Sequence, residues 1–310
     1  MVPVFVLDPI SPRALSRLAE DVPVVDWRDP RVARWVEEAS ALITRTSPVR
    51  AADIARARHL KVIGKHGVGV DNIDLAAARA RGIPVVNTPG ANADAVAELT
   101  LCLALAAARH VGRGMALVRE GQGAGALPMG RELAGARLGI MGFGEVGRRV
   151  GDLLKRALGV RLQAFDPGLA PDEIRAHGAE VPASFESLLA GSDVLSLHLP
   201  LTPKTRGLIG ARELALLADG AILINTARGG IVDEMALAQG LRAGKPAAAA
   251  SDVFATEPPP LDHPLLHCPN FIATPHIGAA TTQSLDRVGV MVVEQVLEVL
   301  RGAAPRHPVG

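Results

Sequence analysis

Arg137 to Asp166 reads RLGIMGFGEVGRRVGDLLKRALGVRLQAFD, and this stretch decides the fold. Leu138 to Met141 is a short apolar run of the kind that forms a buried strand. Gly142, Gly144 and Gly147 then give G-x-G-x-x-G. Val150, Leu153 and Leu154 recur at helical spacing, Gly159 can stop that helix, and Val160 to Phe165 predicts a second strand. Asp166 stands at its end, nineteen residues after Gly147. Strand, glycine turn, helix, strand and acid in this order make a βαβ unit with a dinucleotide fingerprint. Gly142 allows the tight turn, Gly144 lets the backbone approach a pyrophosphate, and Gly147 lets the helix pack on the strand. The helix N-terminus offers N–H groups and partial positive charge to phosphates. Asp166 is placed to accept both hydroxyl protons of an adenosine ribose, and its charge repels a 2′-phosphate.

The chain outside this unit repeats the same plan. Before it, apolar runs at Val2 to Leu7, Val22 to Val25, Ala41 to Thr44, Leu60 to Ile63 and Ile83 to Val86 predict strands. Helical segments fall between them, as at Pro30 to Ala39 and Ala51 to Ala57. Ser11-Pro12 supplies an N-cap and a first-turn proline for another. Asn92 to Gly112 predicts a long alanine-rich helix, and the glycine-rich Gly112 to Gly130 a linker. After Asp166, strands are predicted at Val194 to His198, Ala221 to Asn225, Ala247 to Asp252 and Phe271 to Thr274, and a final helix at Thr281 to Leu300. Alternating strands and helices mean an α/β protein. The expected fold is two doubly wound parallel-sheet domains, the central one Rossmann-type, with a cleft between them.

Bulk properties narrow the function classes. The 310 residues suit about two domains. A formal charge of +1 and no basic run argue against nucleic-acid or membrane-surface binding. Arg148–Arg149 reads as a solvated helix face. The two cysteines, Cys102 in an apolar helical run and expected in the core, and Cys268 in a loop, make neither a disulfide framework nor a metal site. No metal is expected. The N-terminus lacks a basic leader region, and the apolar helix near Leu99 to Ala108 is too short to span a bilayer. A cytoplasmic protein is expected.

Three chemically distinctive residues follow apolar strands. Arg228 comes after Ala221 to Asn225, Glu257 after Ala247 to Asp252, and His276 after Phe271 to Thr274. In a parallel sheet all carboxyl ends face one crevice, so the three are expected beside a bound nicotinamide. A hydride delivered to a carbonyl leaves an alkoxide that must take a proton. Histidine exchanges protons near neutral pH. A carboxylate on its other ring nitrogen fixes the tautomer and favours the charged ring, which suits Glu257. Arginine grips a carboxylate with two parallel hydrogen bonds. Singly, each has an ordinary reading: a surface ion pair for Arg228, loop filler for Glu257, a helix cap for His276. Jointly, at strand ends of one nucleotide-binding sheet, they point to a dehydrogenase.

The segments GVGVDNIDLAAARARGIPVVNTPG, VAELTL, GIMGFGEVGRRV, FDP, HLPLTPKTRGLIG, INTARGGIVDE, SDVFATEPPP and TPHIGAAT resemble the D-isomer-specific 2-hydroxyacid dehydrogenase family. They are most similar to its D-3-phosphoglycerate dehydrogenase branch. The resemblance implies a discontinuous flavodoxin-like substrate domain, residues 1–92 and 285–310, around an NAD-binding domain, residues 93–284. It implies Arg228, Glu257 and His276 as the substrate-binding Arg, the orienting Glu and the acid/base His. It implies NAD contacts at Gly142, Gly144, Glu145, Val146, Gly147, Asp166, Leu199, Thr226, Asp252 and from His276 through Gly278 to Ala279. The Val68 and Gly69 backbone would hold the substrate carboxylate, and a cleft would close on the substrate. A homodimer built through the helices near Asn92 to Gly112 is expected.

The resemblance has departures. Val68 stands where the branch often has a small polar residue, and the chain stops just after its last helix, so regulatory domains and their feedback site are not expected. Arg45 and Lys65, after the third and fourth strands, would hold a second anionic group such as phosphate, which favours 3-phosphoglycerate. If both point to solvent, hydroxypyruvate or glyoxylate fits instead. A non-catalytic NAD-sensing corepressor is the rival from another class, and a formate- or phosphite-type dehydrogenase the rival within it.

Overall fold

The computed structural model describes residues 3–310, and among them eleven of twelve strands lie in two parallel arrays. Val2, expected to head the first strand, lies outside the described residues. The first sheet contains β1 (Val4–Val6), β2 (Val24–Val25), β3 (Ala41–Thr44), β4 (Val62–Lys65) and β5 (Val85–Val86). The second contains β6 (Arg137–Met141), β7 (Arg161–Phe165), β8 (Val194–Leu197), β9 (Ile222–Asn225), β10 (Ala248–Ser251) and β11 (Phe271–Ala273). A short β12 (Pro308–Val309) adds to β5 antiparallel and completes the first sheet, in the order β12-β5-β4-β3-β1-β2. The second sheet has the order β11-β10-β9-β8-β6-β7. β1, β3, β4, β8, β9 and β10 are buried along their whole length, as expected of strands covered on both faces.

The chain divides into two compact units. One runs up to Asn92 and resumes over Ala279–Gly310; the other is Ala93–Gly278. The second crossing therefore falls before residue 285. The first unit buries Phe5, Leu42, Ile54 and Ile63 on one face of its sheet, and Val6, Ile43, Val292 and Val296 of the last helix, Thr282–Leu300, on the other. Gly64 lets that helix lie close, since a Cβ there would stand 2.7 Å from Val296 Cγ2. In the second unit the helices Ala93–Ala108 and Glu145–Leu158 pack together over one face of the sheet.

Several boundaries differ from the sequence reading. β4 runs two residues later than expected, so Lys65 is inside the strand rather than beyond it. The long helix stops at Ala108, His110 turns into the left-handed region at φ 52, and a second helix, Val111–Arg119, occupies much of the expected linker. Its glycines, Gly112 and Gly114, fall in the first turn and did not prevent helix. Cys102 is exposed, not in the core, since the first of these helices is largely apolar and buries only part of its circumference. Cys268 is buried at the end of a short 3₁₀ turn.

Candidate active site

In each sheet the strand order reverses beside the first strand, β1 or β6, and ligands of open α/β sheets bind at the carboxyl ends there. The second unit opens its reversal point with the glycine turn. Gly142 has φ 89, and a Cβ would lie 2.6 Å from the His198 carbonyl oxygen. Gly147 packs the helix onto the turn, since a Cβ there would stand 2.2 Å from Gly142 O. A Cβ at Gly144 meets nothing within 4 Å, which leaves space for a phosphate above the N-terminus of Glu145–Leu158. Leu199 flanks Gly142, and Glu145 and Val146 form the first turn of the helix. Asp166 accepts hydrogen bonds from Phe143 N (2.8 Å) and Gly168 N (2.9 Å). A carboxylate has about four acceptor directions, so these bonds fix its orientation and leave room for a ribose diol. The residues fit a dinucleotide. Arg148 and Arg149 are ion-paired with Glu173 and Asp94 rather than simply solvated.

Towards the other edge of the same sheet, His276 Nδ1 lies 2.7 Å from Glu257 Oε2. A carboxylate only accepts, so Nδ1 carries the proton and Nε2 faces outward for chemistry. Glu257 Oε1 accepts from Phe254 N at 3.0 Å. His276 has φ 55, and its N–H donates to Asp252 O at 2.9 Å. The buried Asp252 carboxylate accepts from Thr274 Oγ1 (2.5 Å), Ile277 N (2.9 Å) and Gly278 N (2.7 Å). It therefore braces the loop that presents His276. Arg228 follows β9, donates from Nη1 to Ala227 O (2.7 Å), and its carbonyl accepts from Asn225 Nδ2 (3.0 Å). The Thr226 hydroxyl meets Thr100 Oγ1 at 3.0 Å. Ala279 lies across the division between the units.

In the first unit, the loop after β4 is held by Thr88 N donating to Gly67 O (3.1 Å) and by Asn87 Nδ2 donating to the Val68 carbonyl (2.7 Å), with Gly69 next in the turn. β3 and β4 are neighbours, pairing Thr44 with Lys65. Lys65 is not at the mouth of a pocket. It is buried, and its ammonium donates to Arg45 O and Asn72 Oδ1, both at 2.5 Å. The later end of β4 places it there. Asp8 was not anticipated. It lies after β1 and accepts from Arg45 N (2.6 Å), Thr46 Oγ1 (3.0 Å) and Ser47 Oγ (2.7 Å). Burial works to raise its pKa, but the bonds from Arg45, Ser47 and Thr46 prevail and bring it down to about 2. A short Asp-Pro after an apolar run was the available signal. The buried His66, whose Nε2 has no partner, is pushed down to about 4 by burial and by the nearby charges of Arg45 and Lys65.

A glycine-turn nucleotide fold with a histidine–carboxylate pair at its strand ends defines a class of dinucleotide-dependent protein. Comparison with known proteins makes it specific. The family model for D-isomer specific 2-hydroxyacid dehydrogenase, NAD binding domain, matches residues 101–278. The chain is 40% identical to a D-3-phosphoglycerate dehydrogenase of Archaeoglobus fulgidus over 99% of its own length and 59% of that protein. It is 41% identical to a hydroxypyruvate reductase of Thermotoga maritima over 86% of each. A crystal structure of the TT0316 protein from Thermus thermophilus superposes with a TM-score of 0.86 at 39% identity, covering 99% of this chain and 100% of that one. The chain belongs to the D-isomer specific 2-hydroxyacid dehydrogenase family, and its second unit is the NAD-binding domain. It spans about three fifths of the Archaeoglobus protein.

Proposed function

We propose that the protein is an NAD-dependent dehydrogenase that interconverts a small D-2-hydroxy acid and its 2-keto acid. The observation that carries this is the 2.7 Å contact of Glu257 with His276 Nδ1 at the carboxyl ends of the NAD-binding sheet. Bound NADH supplies the hydride for C2 of the keto acid. His276 gives the forming alkoxide a proton from Nε2. Glu257 holds the ring in the productive tautomer and stabilises its charged form. Arg228 orients the substrate carboxylate, with the Val68 and Gly69 backbone assigned to the same group.

For the substrate, the internal bonds of Lys65 support an unphosphorylated acid, hydroxypyruvate or glyoxylate, because that ammonium already has partners. The similarity to phosphoglycerate dehydrogenases supports 3-phosphoglycerate as the second reading. NADH consumption with hydroxypyruvate, glyoxylate and phosphohydroxypyruvate tests both. Faster turnover of phosphohydroxypyruvate, together with a KM raised ~10-fold by R45A for it alone, would reverse the order. No turnover of any 2-keto acid would return the protein to the NAD-sensing reading. The homodimer belongs to the same proposal. Leu105, Val111, Met115 and Val118 leave apolar side chains exposed along two successive helices, which supports an interface there, and light scattering tests it.

A further inference from the structure

We propose that Glu234 and His263 form a positioning pair that sets the geometry of the Glu257–His276 dyad through the Phe254–Ala255 peptide. The proposal rests on the reading of that dyad as the proton-transfer centre. Glu234 opens the helix Glu234–Ala243. Its Oε1 accepts from Ala255 N at 2.7 Å, and its Oε2 lies 3.0 Å from His263 Nε2. His263 Nδ1 accepts from Leu265 N at 3.3 Å, so the ring proton sits on Nε2 and is donated to Glu234. The two bonds of Glu234 thus end on Ala255 and His263, on either side of Glu257 in the chain. One carboxylate on a helix pins both ends of the segment that carries the other.

The segment around this peptide is gripped from three further directions. Phe254 N donates to Glu257 Oε1 at 3.0 Å. The His263 ring meets the Phe254 ring edge-on, with centroids 5.6 Å apart. Gly229, directly after Arg228, lies against the Phe254–Ala255 bond so closely that a Cβ would stand 1.9 Å from Phe254 O and 2.5 Å from Ala255 N. A shift of this peptide therefore moves the hydrogen bond that orients Glu257 and disturbs the turn that presents Arg228. The supporting pair is well shielded, with side chains 17% and 12% exposed, while Glu257 and His276 are 37% and 49% exposed. Withdrawing a carboxylate from water is costly unless it is hydrogen-bonded, and the bonds of the half-buried Glu234 are to the loop of the reacting groups. Helix-anchored support of this kind preserves sub-ångström placement in an open site.

The test uses E234A, E234Q, H263A and E257Q in the full chain, with NADH affinity and thermal melting as controls. E234A should lower kcat for keto-acid reduction ~10- to 100-fold with little change in KM or NADH affinity, the scale of a misplaced catalytic group. Its pH profile should lose activity at lower pH on the basic side, in the same sense as E257Q. E234Q keeps an oxygen for the Ala255 N–H and should recover most of the rate. In the E257Q background E234A should add little, because it acts through Glu257. Nitrogen NMR of the His276 ring, which needs no substrate, should show E234A moving toward the E257Q signature. If the unaltered protein reduces no keto acid, the functional reading fails while the ring spectra still decide the positioning. Should E234A not fold, H263A removes only the brace and carries the same comparisons with a smaller effect. Multiplicative losses in the double variant, or an unmoved profile and ring signature in folded protein, overturn the proposal.

Discussion

His276 occupies the left-handed region at φ 55, which costs a non-glycine residue on the order of 1 kcal/mol or more. The Asp252 carboxylate offsets that cost by collecting Thr274, Ile277 and Gly278 around it. A residue held so deliberately, with Nδ1 on a carboxylate, fits a proton donor. H276A is expected to lower turnover about 100-fold or more while NADH affinity, measured by fluorescence titration, stays near that of the unaltered protein. E257Q is expected to leave a weaker enzyme whose reduction profile loses activity at lower pH on its basic side, because an amide does not stabilise the charged imidazole. An unshifted profile would remove Glu257 from its orienting role. Asp166 is the residue proposed to govern the choice of cofactor. NADH is expected to exceed NADPH at least tenfold in kcat/KM, ~1.4 kcal/mol, and equal use of both would detach Asp166 from the ribose.

Elements meet at the glycine turn through contacts that admit no side chain. Gly147 brings the helix Glu145–Leu158 against Gly142 O, and one turn further on Gly151 brings it against Leu162, where a Cβ would lie 2.8 Å from Cδ2. The helix N-terminus thereby stays at the end of β6, the place proposed for the phosphate. Adding a methyl at Gly147 must push the helix away. G147A is expected to destabilise the protein by about 1–3 kcal/mol, as overpacking does, and to weaken NADH binding out of proportion to that loss. Calorimetry and NADH titration separate the two. Retained NADH affinity would mean that the helix terminus is not the phosphate site.

Across the whole molecule, response to acid should begin at two buried histidines, His66 in the first unit and His198 in the second, which burial pushes down to about 4 and about 3. His66 titrates near 4 when folded and near 6.5 in an unfolded chain. Its folded value is depressed, so unfolded protein binds the extra proton between those limits. The stability associated with a neutral His66 is complete above pH 6.5 and is lost as pH falls toward 4, on the order of 3 kcal/mol. Asp8 adds a lower window: its contribution is present above about 4 and is lost as pH falls toward 2. Urea unfolding at pH 7 and pH 5 is expected to show a clear drop, and H66L, which removes one of the two titrating rings, should lessen it. An equal drop in H66L would place the acid sensitivity elsewhere.

Local rules determined much of this protein. The G-x-G-x-x-G turn, Gly159 as helix stop, the Ser11-Pro12 cap and the position of β3 were all legible in the sequence, because each depends on a backbone conformation or an apolar period set by near neighbours. Arg228, Glu257 and His276 were legible as strand-end residues, because parallel strands direct their carboxyl ends to one side. What depends on contacts distant in the chain was decided only by the tertiary structure. Lys65 looked like a ligand-facing cation until β4 ended on it and Asn72 and Arg45 took up its ammonium. Cys102 looked buried because a largely apolar helix does not reveal which side its neighbours cover. Glu234 and His263 carried no local mark at all, and Asp8 only a short Asp-Pro after an apolar run. Their roles arise where carboxylates meet donors from other loops, and hydrogen bonds between residues remote in sequence form only once the sheets have set the register.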